Sequence, residues 1–167
     1  MDMKQPFEKL VELHGATVLR VCRAVVGPAD AEDVWQETFL SALRAYPDLP
    51  SDANTEAWLV TIAHRKSLDA VRSGGRRAVP VSEVPETPSP HGIPGSGDAS
   101  DGLWSTVARL PDKQRRVIAY RYLADLAFND IAAIVGGTPA AARRAASDGI
   151  KSLRTRFAAS QLEGESA

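Results

Sequence analysis

The sequence has little cysteine, few aromatic residues and no long apolar run. Cys22 is the only cysteine, which excludes an internal disulfide and a cysteine-rich metal site. No stretch approaches the ~20 consecutive apolar residues that cross a bilayer, so no membrane insertion is expected. The first residues lack the basic-then-apolar pattern of an export signal, and a cytoplasmic location fits best.

Residue patterns that support catalysis are also scarce. His14, His64 and His91 lack metal-ligand spacing, and no glycine-rich phosphate loop occurs. Cys22 lies in an apolar helical stretch, where it is expected to be a small core residue rather than a nucleophile. The sequence therefore predicts no enzyme, no catalytic residue, no metal, no other cofactor and no small-molecule substrate.

The net charge of −1 hides an uneven distribution along the chain. Residues 79–101 hold four acidic side chains, no basic one and five prolines. Such a composition cannot bury a core and predicts a flexible acidic linker. Residues 102–167 hold ten basic and six acidic side chains, which makes the C-terminal block basic.

Apolar periodicity and helix stop signals predict helices throughout, with no strand pattern. The predicted helical segments are 7–26, 30–45, 54–73 (closed by Gly74-Gly75), 103–109, 112–123, 127–135 and 139–157. The predicted fold class is therefore all-α, with two small helical domains, each around its own modest core, on a flexible linker. The predicted division is 1–78, 79–101 (linker), 102–160 and 161–167 (disordered tail).

The second predicted helix reads DAEDVWQETFLSALRA from Asp30 to Ala45. Asp30 is expected to cap its start, because a carboxylate accepts hydrogen bonds from the free N–H groups of a first turn. An apolar stripe recurs at three- and four-residue spacing and comprises Ala31, Trp35, Phe39, Ala42 and Tyr46. Another face is acidic and polar but carries a leucine, which makes a docked protein partner plausible.

That segment resembles the polymerase-binding helix of bacterial extracytoplasmic-function (ECF) sigma factors. The resemblance covers nearly every position of the helix. It implies that Asp33, Gln36, Glu37 and Leu40 bind core RNA polymerase.

The third helix carries a basic cluster, which can neutralise nucleic-acid phosphates or be a solvated face. From Trp58 onward, WLVTIAHRKSLDAVRSGGRR resembles the ECF helix that holds the melted minus-ten promoter element. The implied DNA-binding residues are His64, Arg65, Lys66, Arg72, Arg76 and Arg77. Asn54, in the preceding loop, could hydrogen-bond a flipped base or only cap the helix, and Trp58 could stack on DNA or belong to the core.

The C-terminal block has the plan of a helix-turn-helix, with Gly136-Gly137 as the turn. Thr138 is a suitable N-cap and Pro139 suits the first helical position. Basic residues follow that can enter a major groove, namely Arg143, Arg144, Lys151 and Arg154. The upstream RLPDKQRRVIAYRYL resembles the ECF domain that binds the minus-thirty-five element.

The recognition helix departs from the family pattern on its buried side. Ala142, Ala146 and Gly149 stand where larger apolar residues are usual. Small side chains bury little area, which predicts weak packing and weak or unusual binding of the upstream element. Alternatively, they allow closer helix approach and a shifted geometry.

The resemblance implies a promoter-specificity subunit of bacterial RNA polymerase, an ECF sigma factor. Its implied partners are core RNA polymerase, promoter DNA and an anti-sigma factor. The acidic linker would pass through the nucleic-acid channel of the enzyme as an RNA mimic, or would serve only as a tether. The alternative is a sigma-derived DNA-binding regulator that does not recruit polymerase, which the small-residue recognition helix motivates.

Overall fold

The computed structural model describes residues 5–76 and 106–165. The regular structure of these ranges is helical, as predicted, and no helix in them is both long and apolar enough to span a bilayer. The elements are α1 Phe7–Val26, α2 Pro28–Ala45, a 3-10 turn Tyr46–Asp48, α3 Thr55–Arg76, α4 Asp112–Ile118, a π-helical segment Ala119–Leu123, α5 Phe128–Val135 and α6 Pro139–Glu165. The predicted linker 79–101 and the start of the predicted segment 103–109 lie outside the described residues.

Helices α1, α2 and α3 pack together as an N-terminal helical domain. Its N-terminal core comprises Leu10, Val18, Leu19, Cys22, Ala31, Val34, Phe39, Ala42, Leu59 and Ala63. Cys22 is a buried core residue, as expected, and burial raises the pKa of its thiol to about 12. Trp58 packs against the same core, which supports the structural interpretation of that residue.

The start of α2 differs from the prediction. The helix begins at Pro28, and Gly27 before it has φ of 87°, a backbone conformation that suits glycine. No side chain caps this end, so the prediction that Asp30 is the cap is wrong. Proline at the first position needs no hydrogen-bonded N–H, which explains the earlier start, and Asp30 lies in the first turn at the positive end of the helix dipole.

Two helices run further than the sequence predicts. Helix α3 continues through Gly74-Gly75 to Arg76, because a glycine inside a helix costs only about 1 kcal/mol relative to alanine. Helix α6 continues to Glu165, past the predicted end at 157 and into the predicted disordered tail 161–167. Its last turns contain no proline, so nothing in the sequence forces an earlier stop.

The C-terminal helices form the predicted helix-turn-helix. Helix α5 ends at Val135, and the two following residues, Gly136 and Gly137, adopt positive φ, 90° and 92°, to turn the chain. The predicted N-cap of α6 is confirmed, because the backbone N–H of Ala141 donates to Thr138 Oγ1 at 3.1 Å. The predicted helix 112–123 is α-helical only through Ile118 and then widens into the π-helical segment.

Besides the N-terminal core and a small C-terminal cluster of Val107, Leu110 and Ile118, a third cluster joins the two domains, and this joint cluster was not predicted. Periodicity marks an apolar face but not the element that will cover it, which is why the sequence did not reveal the sharing. We call the contact the interdomain seam. Its buried members are Val21, Ala24, Val25 and Val60 from the N-terminal domain, and Val117, Ala119, Tyr120, Ala124, Leu126, Ile131, Ala142, Ala145 and Ala146 from the C-terminal domain.

Candidate protein and nucleic-acid interfaces

The outer face of α2 is open to solvent along its length. The four residues predicted to bind a protein partner, Asp33, Gln36, Glu37 and Leu40, are all exposed. The opposite side is buried and comprises Ala31, Val34, Thr38, Phe39 and Ala42. The helix is therefore amphipathic, with one face packed and the other available to a partner.

Two hydrogen bonds involve the buried side of α2, and one of them ties it to α1. The indole N–H of Trp35 donates to the backbone carbonyl of Gly15 at 2.9 Å, which ties α2 to α1. The Thr38 hydroxyl donates to the Val34 carbonyl at 2.7 Å, so this buried polar group is satisfied within the helix. The Trp35 bond holds the buried side of α2 against α1, so that Gln36 and Glu37 face solvent.

An exposed leucine pair distinguishes this face from an ordinary solvated one. Leu40 is 57% exposed and Leu43 is 51% exposed, one helical turn apart. Leu43 was not among the predicted residues, although its three-residue spacing from Leu40 was a usable signal. Two neighbouring exposed leucines within a polar rim are typical of a protein–protein contact.

Helix α3 keeps part of its predicted basic surface. Arg65 and Arg72 are exposed and Lys66 is half-buried, while Arg76 ends the helix and Arg77 lies outside the described residues. The exposed pair and Lys66 can neutralise phosphates along one DNA segment.

His64 does not lie on that surface. It is 8% exposed, and its Nδ1 is 2.7 Å from the hydroxyl of Tyr120, a fully buried residue of the C-terminal domain. The rings meet edge to face at 5.7 Å between centroids. Burial, followed by the charges of Arg116 and Arg65, lowers the pKa of His64 to about 4. In this structure His64 therefore contacts Tyr120 and does not belong to the exposed basic surface of α3.

Asn54 caps α3. Its Oδ1 accepts a hydrogen bond from the backbone N–H of Ala57 at 3.1 Å, which is the geometry of an N-cap side chain. The residue remains exposed, at the loop in front of the basic helix. Of the two interpretations that the sequence left open for Asn54, the structure shows the capping one directly.

The recognition helix α6 presents its predicted basic residues outward. Arg143, Arg144, Lys151 and Arg154 are exposed, and the 3.6-residue period places them on one side of the helix. The Arg143 guanidinium lies 5.5 Å from the centroid of the Phe128 ring, a cation–π contact with α5. This contact holds one of the basic side chains against the first helix of the motif.

Small residues let α6 lie close against its neighbours. A Cβ built at Gly149 would be 2.3 Å from Ile118 Cδ1 and 3.5 Å from Gln114 Cβ, so α4 fits directly against the glycine. Ala142 and Ala146 are buried in the interdomain seam. Of the two alternatives for the recognition helix, the structure favours closer approach over weak packing. The small residues of the recognition helix motivated the alternative of a DNA-binding regulator that does not recruit polymerase, and close packing explains these residues without it.

No group of three or more His, Cys, Asp or Glu side chains in the described ranges could hold a metal ion. The arrangement thus consists of one polar-and-leucine face on α2 and two basic helical surfaces, on α3 and α6. The first suits a protein partner and the other two suit nucleic acid.

Comparison with known proteins defines the class of this molecule. Residues 10–77 match Sigma-70 region 2 and residues 107–155 match Sigma-70, region 4. The chain is 30% identical to ECF RNA polymerase sigma factor SigD of Mycobacterium tuberculosis, over 93% of this chain and 79% of that protein. It is also 30% identical to ECF RNA polymerase sigma factor ShbA of Streptomyces griseus, over 92% and 87% of the two chains.

The chain belongs to the ECF RNA polymerase sigma factors, the family that its motifs resemble. Sigma factors are non-catalytic subunits that direct RNA polymerase to promoters, so the prediction that this protein is not an enzyme is confirmed.

Solved structures share the fold. The sigma factor RpoE of Bartonella quintana, solved in complex with the anti-sigma factor NepR, aligns with a TM-score of 0.74 and 22% identity, over 89% of this chain and 94% of that one. CnrH, solved in complex with the cytosolic domain of CnrY, aligns with a TM-score of 0.65 and 23% identity, over 92% and 88%.

Proposed function

We propose that this sigma factor holds core RNA polymerase through the outer face of α2, at Asp33, Gln36, Glu37 and Leu40. The observation that carries the proposal is the exposure of all four residues beside Leu43, on a helix whose other side is buried. Burial of the leucine pair would supply the apolar contact, and the two carboxylates would select a basic partner surface.

Co-elution of the protein with core polymerase tests this face. Leu40→Ser should weaken binding by about tenfold, because an exposed leucine that becomes buried on binding contributes roughly 1.5 kcal/mol. The matched control is Leu13→Ser on α1, whose leucine is 55% exposed but lies outside the proposed face. If both variants lost binding equally, or if neither variant lost binding, α2 would not be the docking helix.

We further propose that α3 and α6 contact separate promoter elements. Arg65, Lys66 and Arg72, together with Arg76 and Arg77, would hold the melted minus-ten element by phosphate neutralisation. Arg143, Arg144, Lys151 and Arg154 would hold the upstream duplex, with the first turns of α6 in the major groove. In this proposal the N-terminal domain spans 1–78, the linker 79–101 and the helix-turn-helix domain 102–160.

An anti-sigma factor is the remaining proposed partner. RpoE, which shares the fold, was solved bound to the anti-sigma factor NepR, and CnrH was solved bound to the cytosolic domain of CnrY. The exposed leucines of α2 offer such an inhibitor the same face as the polymerase, so the two partners would compete. Affinity purification from native cells should recover an inhibitor in complexes that lack polymerase subunits, and recovery of polymerase subunits alone would contradict this proposal. Because core RNA polymerase works in the cytoplasm, we propose a cytoplasmic location.

A further inference from the structure

Phe128, the first residue of α5, has an arginine guanidinium from each of two other elements over its ring. The Cζ atom of Arg121 is 4.9 Å from the ring centroid, and the Cζ atom of Arg143 is 5.5 Å from it. Both distances lie within the range in which a cation is attracted to an aromatic face. The ring is half-buried and packs against the interdomain seam, so it gives these groups a fixed support.

The two arginines differ in their surroundings. Arg121, in the π-helical segment, is half-buried, and its Nη1 donates to the carbonyl of Leu126 at 2.9 Å, which ties it to the loop before α5. Arg143 is exposed and has no carboxylate partner in the described ranges, where the ion pairs are formed by Lys9 and Arg115. The guanidinium of Arg143 is therefore held by the ring and remains available to a ligand.

A guanidinium held by its face suits the recognition of nucleic acid. The group is planar and presents its N–H donors at its edge, so a ring against the face leaves those donors free for a guanine or a phosphate. Arg143 lies about one turn after Pro139, where α6 begins, in the part of the helix proposed to enter the major groove. Arg144 is also exposed, but no aromatic ring of the described residues contacts it.

An arginine that is ordered in advance binds more tightly than one that rotates freely. A free arginine side chain samples many rotamers and loses that freedom when it binds. Because the Phe128 ring already restricts Arg143, part of this loss occurs on folding and not on binding. The second cation, Arg121, also raises the local positive potential that attracts DNA phosphates.

We propose that Phe128 is a positioning residue for promoter recognition, whose ring holds the Arg143 guanidinium in the orientation that contacts the upstream element. This inference rests on the proposed function of α6. Phe128 acts through Arg143 and needs no contact of its own with DNA.

A double-mutant cycle on the assembled polymerase tests this role. The probe is a fluorescein-labelled duplex that carries a promoter transcribed by this protein with core polymerase. Phe128→Leu should weaken binding roughly two- to fivefold, as expected for the loss of one exposed cation–π contact. In an Arg143→Ala background the same substitution should have no effect, whereas in the matched Arg144→Ala background it should keep its full effect.

Further measurements separate positioning from a structural role. Phe128→Leu removes no charge, so the slope of log binding constant against log salt concentration should stay as in the wild type. Phe128→Tyr keeps the aromatic face and should bind like the wild type. If Phe128→Leu lost helicity by circular dichroism, Phe128→Met would replace it in the same cycle, because the flexible methionine side chain fills irregular space.

Equal losses from Phe128→Leu in the presence and absence of Arg143 would overturn the positioning role, and so would unchanged binding of Phe128→Leu. A smaller salt slope would also overturn it, because it would indicate that α6 had moved away from the DNA. Arg143→Ala alone identifies a failure of the proposed function instead. Unchanged binding of that variant would contradict the contact between Arg143 and the promoter itself.

Discussion

At the residue scale, Gly149 shows how one missing side chain sets the position of a helix. Ile118 is 3% exposed and its Cδ1 occupies the space that a Cβ at position 149 would need. The sequence showed that small residues line this side of α6, but not that α4 would fill the gap. A contact between residues 31 positions apart depends on how the helices cross, which local patterns do not encode.

Gly149→Ala should destabilise the protein by about 1 kcal/mol, because overpacking against Ile118 exceeds the gain in helix propensity. Denaturant unfolding measures this difference. In an Ile118→Val background, which lacks Cδ1, the same substitution should instead be neutral or stabilising. A stabilising effect of Gly149→Ala in the wild-type background would show that the helices do not approach as closely as described.

Asn54 offers a second test at this scale. Asn54→Ala should lower stability by about 1 kcal/mol through loss of the cap, whereas Asn54→Asp should keep it, because aspartate caps equally well. Thermal unfolding distinguishes the two. Loss of promoter opening in a stable Asn54→Asp variant would reveal contact with a base in addition to the cap.

At the scale of elements, the helices were predictable and their ends were less so. Apolar spacing located α1 to α3 and the helix-turn-helix, because each presents a continuous apolar stripe. The glycine pair 74–75 was misread as a stop, since glycine ends a helix only where positive φ or a change of direction is required. The exposed face of α2 was predictable from its polar residues, although Leu43 was overlooked.

Helix α6 supports a prediction about DNA recognition. Arg144→Ala should weaken the binding free energy for the upstream element by roughly 1–3 kcal/mol if the side chain reads a base. Arg154→Ala should instead reduce the slope of log binding constant against log salt concentration by about one, if this side chain contacts a phosphate. Fluorescence anisotropy at several salt concentrations measures both. Arg109→Ala, an exposed arginine outside α6, is the matched control. Identical effects at Arg109 and Arg144 would indicate general charge attraction without recognition by α6.

At the scale of the whole molecule, the cluster shared by the two domains was the feature that could least be predicted from the sequence. His64 stands in a basic stretch, and its assignment to DNA followed from that local context. Its burial depends on Tyr120, 56 residues further along the chain. The family, in contrast, could be identified from the sequence, because the residues of each of its motifs are neighbours along the chain.

The seam makes the domain arrangement depend on pH. Packing at the seam lowers the pKa of His64 to about 4, against 6.5 for a free imidazole, so a chain whose domains have separated would bind more protons. The contribution of neutral His64 to packing at the seam is therefore fully present above pH 6.5 and is lost as the pH falls toward 4. Glu56 has the opposite effect, because its pKa is raised in the packed structure and its protonation as the pH falls therefore favours packing. Small-angle X-ray scattering should therefore show expansion between pH 7.5 and 5.5 in the wild type but not in His64→Leu, and equal expansion in both would rule out His64 as the group responsible.

Transcription reconstituted from core polymerase on a library of genomic fragments tests the central claim most directly. The account predicts transcripts from a limited set of promoters that appear only when this protein is added. Leu40→Ser should abolish most of this transcription and Leu13→Ser should leave it intact. Transcripts that do not depend on the protein, or that survive Leu40→Ser unchanged, would contradict recruitment of polymerase through α2.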